Sequence, residues 1–265
     1  MNLRTYFSRR CQVFLPLTFL CLAAPAWSQE GPTPSGTTAD TTQVVQAIER
    51  HNEAQARALE RYQALRHYSI TYKSWIKNIT ATMDVKLEFD AASGKTFQIV
   101  SESGSRTLRE KVLKRALESE REAFLNQSAT ALSPENYKFQ LLGSENLEGR
   151  PTYILQVEPV SPNPYLYRGK IWVDAADAAV SKMEVQPAKN PSFWIVQTNI
   201  HHTSSKVGDF WLPQQSLSET KVRIGGKATL TIDYGPYEIS QPSSPALIRS
   251  GDSELATAAR VPTGR

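Results

Sequence analysis

The sequence predicts an α+β protein in which about ten antiparallel strands form a strongly curved sheet covered by two helices. Three observations carry that expectation. Met83, Val85, Leu87 and Phe89 alternate with Asp84, Lys86, Glu88 and Asp90, the period-two signature of a strand with one wet face. Between Pro134 and Ile239 the chain breaks into short apolar-rich runs separated by Gly, Pro, Asn and Asp, as hairpin-connected strands require. Two stretches, 42–67 and 107–127, lack Gly and Pro and are rich in Ala, Glu, Arg and Gln, which favours helix.

The first residues belong to none of these elements. Arg4, Arg9 and Arg10 precede an apolar run, Val13 to Ala24, that ends in Ala26-Trp27-Ser28. A basic start, a short apolar core and small residues at the junction make a secretory signal peptide, residues 1–28. The run is too short and too interrupted by Pro16 and Pro25 to span a membrane. Leu20 before Cys21 does not fit a lipidation site, and Gln12-Val13 after Ser8-Arg9-Arg10 does not fit a twin-arginine signal. Cleavage removes three of the 30 basic residues and none of the 26 acidic ones, so the charges nearly balance. A general nucleic-acid surface is excluded on that ground. Both cysteines, Cys11 and Cys21, leave with the signal, so disulfides, thiol nucleophiles and Cys-ligated metals are not expected.

Residues 29–41 read as a disordered leader of Pro, Gly, Ser and Thr. The first helix is expected over 42–67, begun by Asp40 and Gln43, with an apolar stripe of Val44, Val45, Ile48, Ala58, Leu59, Tyr62 and Leu65. Three short strands follow, Tyr68–Trp75, Thr82–Asp90 and Lys95–Glu102. A second helix over Thr107–Gln127 opens with a Thr107/Glu110 capping box, carries Leu108, Val112, Leu113, Leu117 and Phe124 at helical spacing, and pairs Glu110 with Lys114. At about 30 Å it is long enough to lie across a sheet. Strands are then expected at Tyr137–Leu142, Thr152–Pro159, Tyr167–Asp174, Val180–Gln186, Phe193–Thr203, Asp209–Ile224 and Ala228–Glu238. Gly225-Gly226 fits a two-residue hairpin turn. The domain therefore covers 42–239, and residues 240–265 form a flexible tail with a helical option at 253–260.

Catalytic signals are sparse. Ser74-Trp75-Ile76-Lys77 matches Ser-x-x-Lys, but its companion motifs are missing and the serine does not open a helix. His201 and His202 are neighbours on a strand, so they point to opposite faces. His51 and His67 have no partner at metal-ligand spacing, and no cofactor or metal site is expected. Apolar side chains in quantity are what remain. Several strands carry large apolar groups on both faces, which suits either a sandwiched strand or one facing a non-aqueous ligand. Phe89, Phe97, Trp172, Phe193 and Trp194 are the candidate cavity residues, with Val112, Leu113, Leu117 and Phe124 as candidate lid residues.

The segments Gly149–Pro159, Gly169-Lys170-Ile171-Trp172-Val173-Asp174 and Gly208-Asp209-Phe210-Trp211-Leu212-Pro213 resemble, in order, the pattern of the outer-membrane lipoprotein-sorting superfamily (LolA/LolB-like, with RseB-type periplasmic sensors). The resemblance covers about Thr42 to Ile239. It implies an incomplete β-barrel closed by helices, a cavity for acyl chains, and a soluble, non-enzymatic periplasmic carrier of lipids or acylated lipoproteins with an inner- or outer-membrane protein partner. An envelope-stress sensor or assembly factor acting through a protein surface is the alternative. A secreted hydrolase using Ser74 and Lys77 is a third.

Overall fold

The computed structural model describes residues 40–240 apart from positions 162, 164, 191 and 224. The expected signal peptide (1–28), the leader (29–41) and the tail (240–265) lie outside the described residues, except for the innermost residues of the last two. The elements are α1 (Thr41–Ala58), β1 (Arg61–Lys73), β2 (Asn78–Asp90), β3 (Gly94–Gly104), α2 (Arg106–Leu108), a π-helical turn (Arg109–Leu113), α3 (Lys114–Leu125), α4 (Gln127–Thr130), β4 (Tyr137–Leu147), β5 (Arg150–Pro159), β6 (Tyr167–Asp174), β7 (Val180–Pro187), β8 (Ile195–Val207), β9 (Phe210–Val222) and β10 (Lys227–Ser240).

The strands form one ten-stranded sheet in the order β3-β2-β1-β10-β9-β8-β7-β6-β5-β4. Every pairing is antiparallel. The two edges, β3 and β4, do not pair, so the barrel is incomplete. These edge strands are consecutive in sequence, and the helical run 106–130 is the connection between them. The sheet curls toward its helices. Leu87 of β2 shares one apolar cluster with Phe210 and Leu212 of β9, although two strands separate them. The other long helix, α1, is fixed at both ends. Thr41 Oγ1 accepts from the Leu141 amide of β4, and Gln55 exchanges two hydrogen bonds with the Trp211 backbone of β9. Eighteen helical residues reach about 27 Å, enough to cross six strands at about 4.8 Å each.

The first helix is shorter than the sequence predicts. It stops at Ala58, and Arg61–His67 belongs to β1. There Tyr62, Ala64, Arg66, Tyr68 and Ile70 are buried at every second position. Ala64 and Arg66 hide that period from a count of apolar residues, whereas Leu65, expected on the helix stripe, is 52% exposed. The expected capping box also differs. Ser105 is the N-cap of the second helical run, and its side chain makes no capping hydrogen bond. The Glu110–Lys114 pair is formed, at 2.9 Å. Gly225 and Gly226 take φ of 93° and 105°, inside a turn longer than two residues, since the last paired residues are Lys221 and Lys227.

The core divides in three. α1 places Val44, Val45 and Ile48 on Leu155, Val157, Ile171, Val173 and Val185 of β5–β7. Leu108, Leu113 and Leu117 of the second helical run pack on Tyr68, Ile70, Ala81, Met83 and Val85 of β1 and β2. The third cluster, around Tyr62 and Leu87, joins β1, β2 and β9.

Candidate functional site

Between the two helical covers lies a strip of sheet that neither seals. Cross-strand pairs place Ile200 and His202 of β8, Ser216 and Ser218 of β9, and Leu230, Ile232 and Tyr234 of β10 on the helix-facing side. Val185 and Ile70, which pair with Ile200 and Leu230, sit beneath the helices on either flank. All seven strip residues are half-buried, unlike the flanking β1, β2 and β6 positions. Ser218 stands between Ile200 and Leu230, and Ser216 between His202 and Ile232, so side-chain size alone makes the middle of the strip its lowest line, a shallow trough.

A buried charge stands beside this trough. Arg66, 1% exposed, reaches from β1 to Glu120 of α3, with Nη1 to Oε2 at 2.6 Å. Lys95 of β3 holds the other oxygen at 2.7 Å. The guanidinium also lies 4.6 Å from the Tyr234 ring centroid and 5.7 Å from that of Phe97. Its Nε is buried without a hydrogen-bond partner. Burial pulls the guanidinium toward neutrality, but the Glu120 charge and hydrogen bond carry its pKa above the ordinary value. Burial pushes the Glu120 carboxyl up, and Lys95 and Arg66 together more than offset it, leaving it below 4.5. The pair is therefore ionised, and it ties α3 to the sheet floor. His202, edge-on to Tyr234 at 6.2 Å, is held below its usual pKa chiefly by burial. Burial pushes Tyr62 up to about 12 and raises Tyr68 and Tyr234 as well, so the tyrosines around Arg66 stay neutral, and the Tyr68 hydroxyl accepts from the guanidinium.

The structure brings together six of the nine side chains singled out from the sequence. Leu113 and Leu117 are buried on the sheet with Val112 and Phe97 around them. Phe89 stacks on Tyr62 at 5.0 Å and meets Phe124 edge-on at 6.2 Å. Phe124 sits so close to Gly94 that a Cβ there would lie 2.7 Å from its ring. The other three are elsewhere. Trp172 alternates with Ile171 and Val173, which face α1, so it points to the opposite side of the sheet. There its indole donates to Glu145, with Lys182 over the ring at 4.4 Å. Phe193 and Trp194 precede β8 and are exposed.

The motifs that carried the resemblance are structural. Asp174 is bound by Arg150 and accepts the Ala176 and Asp177 amides, which fixes the β6–β7 turn. Trp211 donates from its indole to Asp177 and through its backbone amide to Gln55 of α1. A cleft of about 390 Å³ lies beside these residues, lined among others by Arg150, Lys182, Lys206 and Trp211, and Arg150 and Lys206 are already paired with Asp177. Ser74 Oγ accepts the Ile76 and Lys77 amides and donates to the Lys77 carbonyl. Its hydroxyl thus shapes the β1–β2 turn. Arg66, Glu120, Ser216 and Ser218 were missed. The signal for Arg66 was a basic residue in phase with Tyr62, Tyr68 and Ile70.

No protein-family model matches the chain, and no curated protein matches it. Solved structures do. A DUF1329 family protein from Desulfovibrio piger is 12% identical over 77% of this chain and 94% of its own, with a TM-score of 0.39. A Vibrio parahaemolyticus domain assigned to outer-membrane lipoprotein sorting is 10% identical over 81% and 96%, with a TM-score of 0.38. A LolA superfamily protein from Nitrosomonas europaea is 11% identical over 77% and 96%, with a TM-score of 0.34. Among the described residues no helix is long and apolar enough to cross a membrane, and no cluster of three or more His, Cys, Asp or Glu could hold a metal.

Proposed function

We propose that the protein is a periplasmic carrier that binds acyl chains of lipids or acylated lipoproteins in the trough over β8–β10, with the 106–125 helical run as its movable lid. The trough supports this reading. An apolar strip carrying Ile200, Leu230 and Ile232, left half-buried between two helices with small side chains at Ser216 and Ser218, suits a flexible hydrocarbon chain. Each buried CH₂ would contribute about 0.8 kcal/mol. Arg66 and Glu120 supply the closure. With Lys95 they link lid to floor through the Glu120 carboxylate, so opening separates this charged contact together with the apolar contacts of Leu108, Leu113 and Leu117.

The signal-like N-terminus supports a place outside the cytoplasm, and exchange of cargo with an inner- or outer-membrane protein follows from the carrier role. The test fills the hollow. Ser216→Leu with Ser218→Leu adds side chains into the middle of the floor, so uptake of a fluorescent phospholipid should be lost while circular dichroism stays that of the parent. Undiminished uptake by the folded variant would remove the trough as the binding site.

A further inference from the structure

We propose that the end of the sheet formed by the β1–β2 and β9–β10 turns and the segment entering β8 is a docking surface for an anionic phospholipid bilayer. This goes beyond the carrier reading and does not depend on it. Strand pairing puts the three segments in one row. Lys73 pairs with Asn78 and Lys227, Lys227 with Lys221, and Val222 with Ile195, so the row crosses five strands and about 19 Å. Cross-links hold it as a unit. Tyr72 donates to the Gly225 carbonyl at 2.6 Å, and Arg223 donates from Nε to the Phe193 carbonyl and from its amide to the Trp194 carbonyl.

The tips present what an interface-binding surface needs. Trp75 is 89% exposed, Ile76 75%, Phe193 69% and Trp194 55%. Aromatic side chains of this kind settle at the level of lipid headgroups. Phe193 and Trp194 pack edge-on at 5.6 Å, and the Arg223 guanidinium covers the Phe193 ring at 4.3 Å, so these apolar groups are pre-ordered next to a cation.

Charge selects the anionic bilayer over other occupants. The segments 73–78, 189–197 and 219–228 carry Lys73, Lys77, Lys189, Lys221, Arg223 and Lys227 against the single acid Glu219, which is bound by Lys227. The turns at the opposite end of the sheet carry Glu60, Asp90, Glu148, Asp174, Asp177 and Asp209 against Arg61, Arg150 and Lys206. A molecule polarised in this way lands basic end first on a negative surface, and the effect weakens with salt. A second copy of this chain would bring its own basic tips and be repelled.

The test is co-sedimentation of the protein with phosphatidylglycerol-containing vesicles and with pure phosphatidylcholine vesicles, at low and high salt, with tryptophan emission recorded. Binding to the first, a blue shift, and loss of both in high salt are expected. Trp75→Ser with Trp194→Ser, and separately Lys73→Ser with Lys221→Ser, should each lower partitioning about tenfold or more, with the thermal midpoint unchanged because all four side chains are on the surface. Absence of binding to the anionic vesicles at low salt overturns the proposal, as does partitioning that ignores the substitutions. So does a concentration-dependent dimer that the same variants dissolve without any vesicle binding. Vesicle binding by a protein that takes up no acyl probe would sustain this surface and remove the carrier. Acyl uptake without vesicle binding would do the reverse.

Discussion

Removing Glu120 isolates a charge that the fold has already buried. In Glu120→Ala, Arg66 keeps its 1% exposure and its Tyr234 and Phe97 neighbours but loses the carboxylate 2.6 Å away. Truncating one partner of a buried ion pair costs about 3–5 kcal/mol, because the other charge is left without compensation. For a domain of this size each kcal/mol moves the unfolding midpoint by about 2–4 °C, so a fall of roughly 6–20 °C is expected. Arg66→Met with Glu120→Leu removes both charges together and should lie within about 1 kcal/mol of the parent, or above it. Urea unfolding followed by tryptophan fluorescence gives both values, and the double-mutant cycle gives the coupling. Hydrogen exchange adds the local readout: amides of 106–125 should open sooner in Glu120→Ala, while those of α1 should not. A single variant within 1 kcal/mol of the parent, or a double variant as damaged as the single, would refute the view that this pair fastens the lid.

The same pair sets a pH dependence. The folded Glu120 carboxyl titrates below 4.5, so its contribution is complete above that value and is lost as pH falls through the folded pKa. Thermal midpoints measured down through this range should drop more steeply in the parent than in the Arg66→Met/Glu120→Leu variant. Gly94→Ala combines a φ of +87° with a Cβ 2.7 Å from the Phe124 ring, and should cost about 1–3 kcal/mol in urea unfolding. Asp174→Asn halves a two-pronged Arg150 contact and weakens the β6–β7 turn. A loss of about 1–3 kcal/mol is expected by the same assay.

The sheet was legible because its outer face is wet. In β2, charged side chains alternate with Met83, Val85, Leu87 and Phe89, and β6 begins and ends at the residues expected, Tyr167 and Asp174. β1 was misread at its start because its buried series contains Ala64 and Arg66, and neither contributes to an apolar period. Trp172 looked like a cavity residue because both faces of β6 are apolar. Its indole is instead covered by the Lys182 ammonium, 4.4 Å from the ring centroid. Phe193 and Trp194 were read as strand, yet β8 begins at Ile195, two residues after the expected start. The trough itself was invisible. Serines at 216 and 218 carry no apolar signal, and only the register sets Ser218 between Ile200 and Leu230 and Ser216 between His202 and Ile232.

Mass spectrometry of the protein isolated from the periplasm without detergent, first native and then after organic extraction, bears most directly on the acyl-binding trough. A near-stoichiometric adduct that extraction resolves into phospholipid or acylated peptide, and that the Ser216→Leu/Ser218→Leu variant lacks, is the expected result. A bare polypeptide mass from the parent, with nothing in the extract, would contradict it.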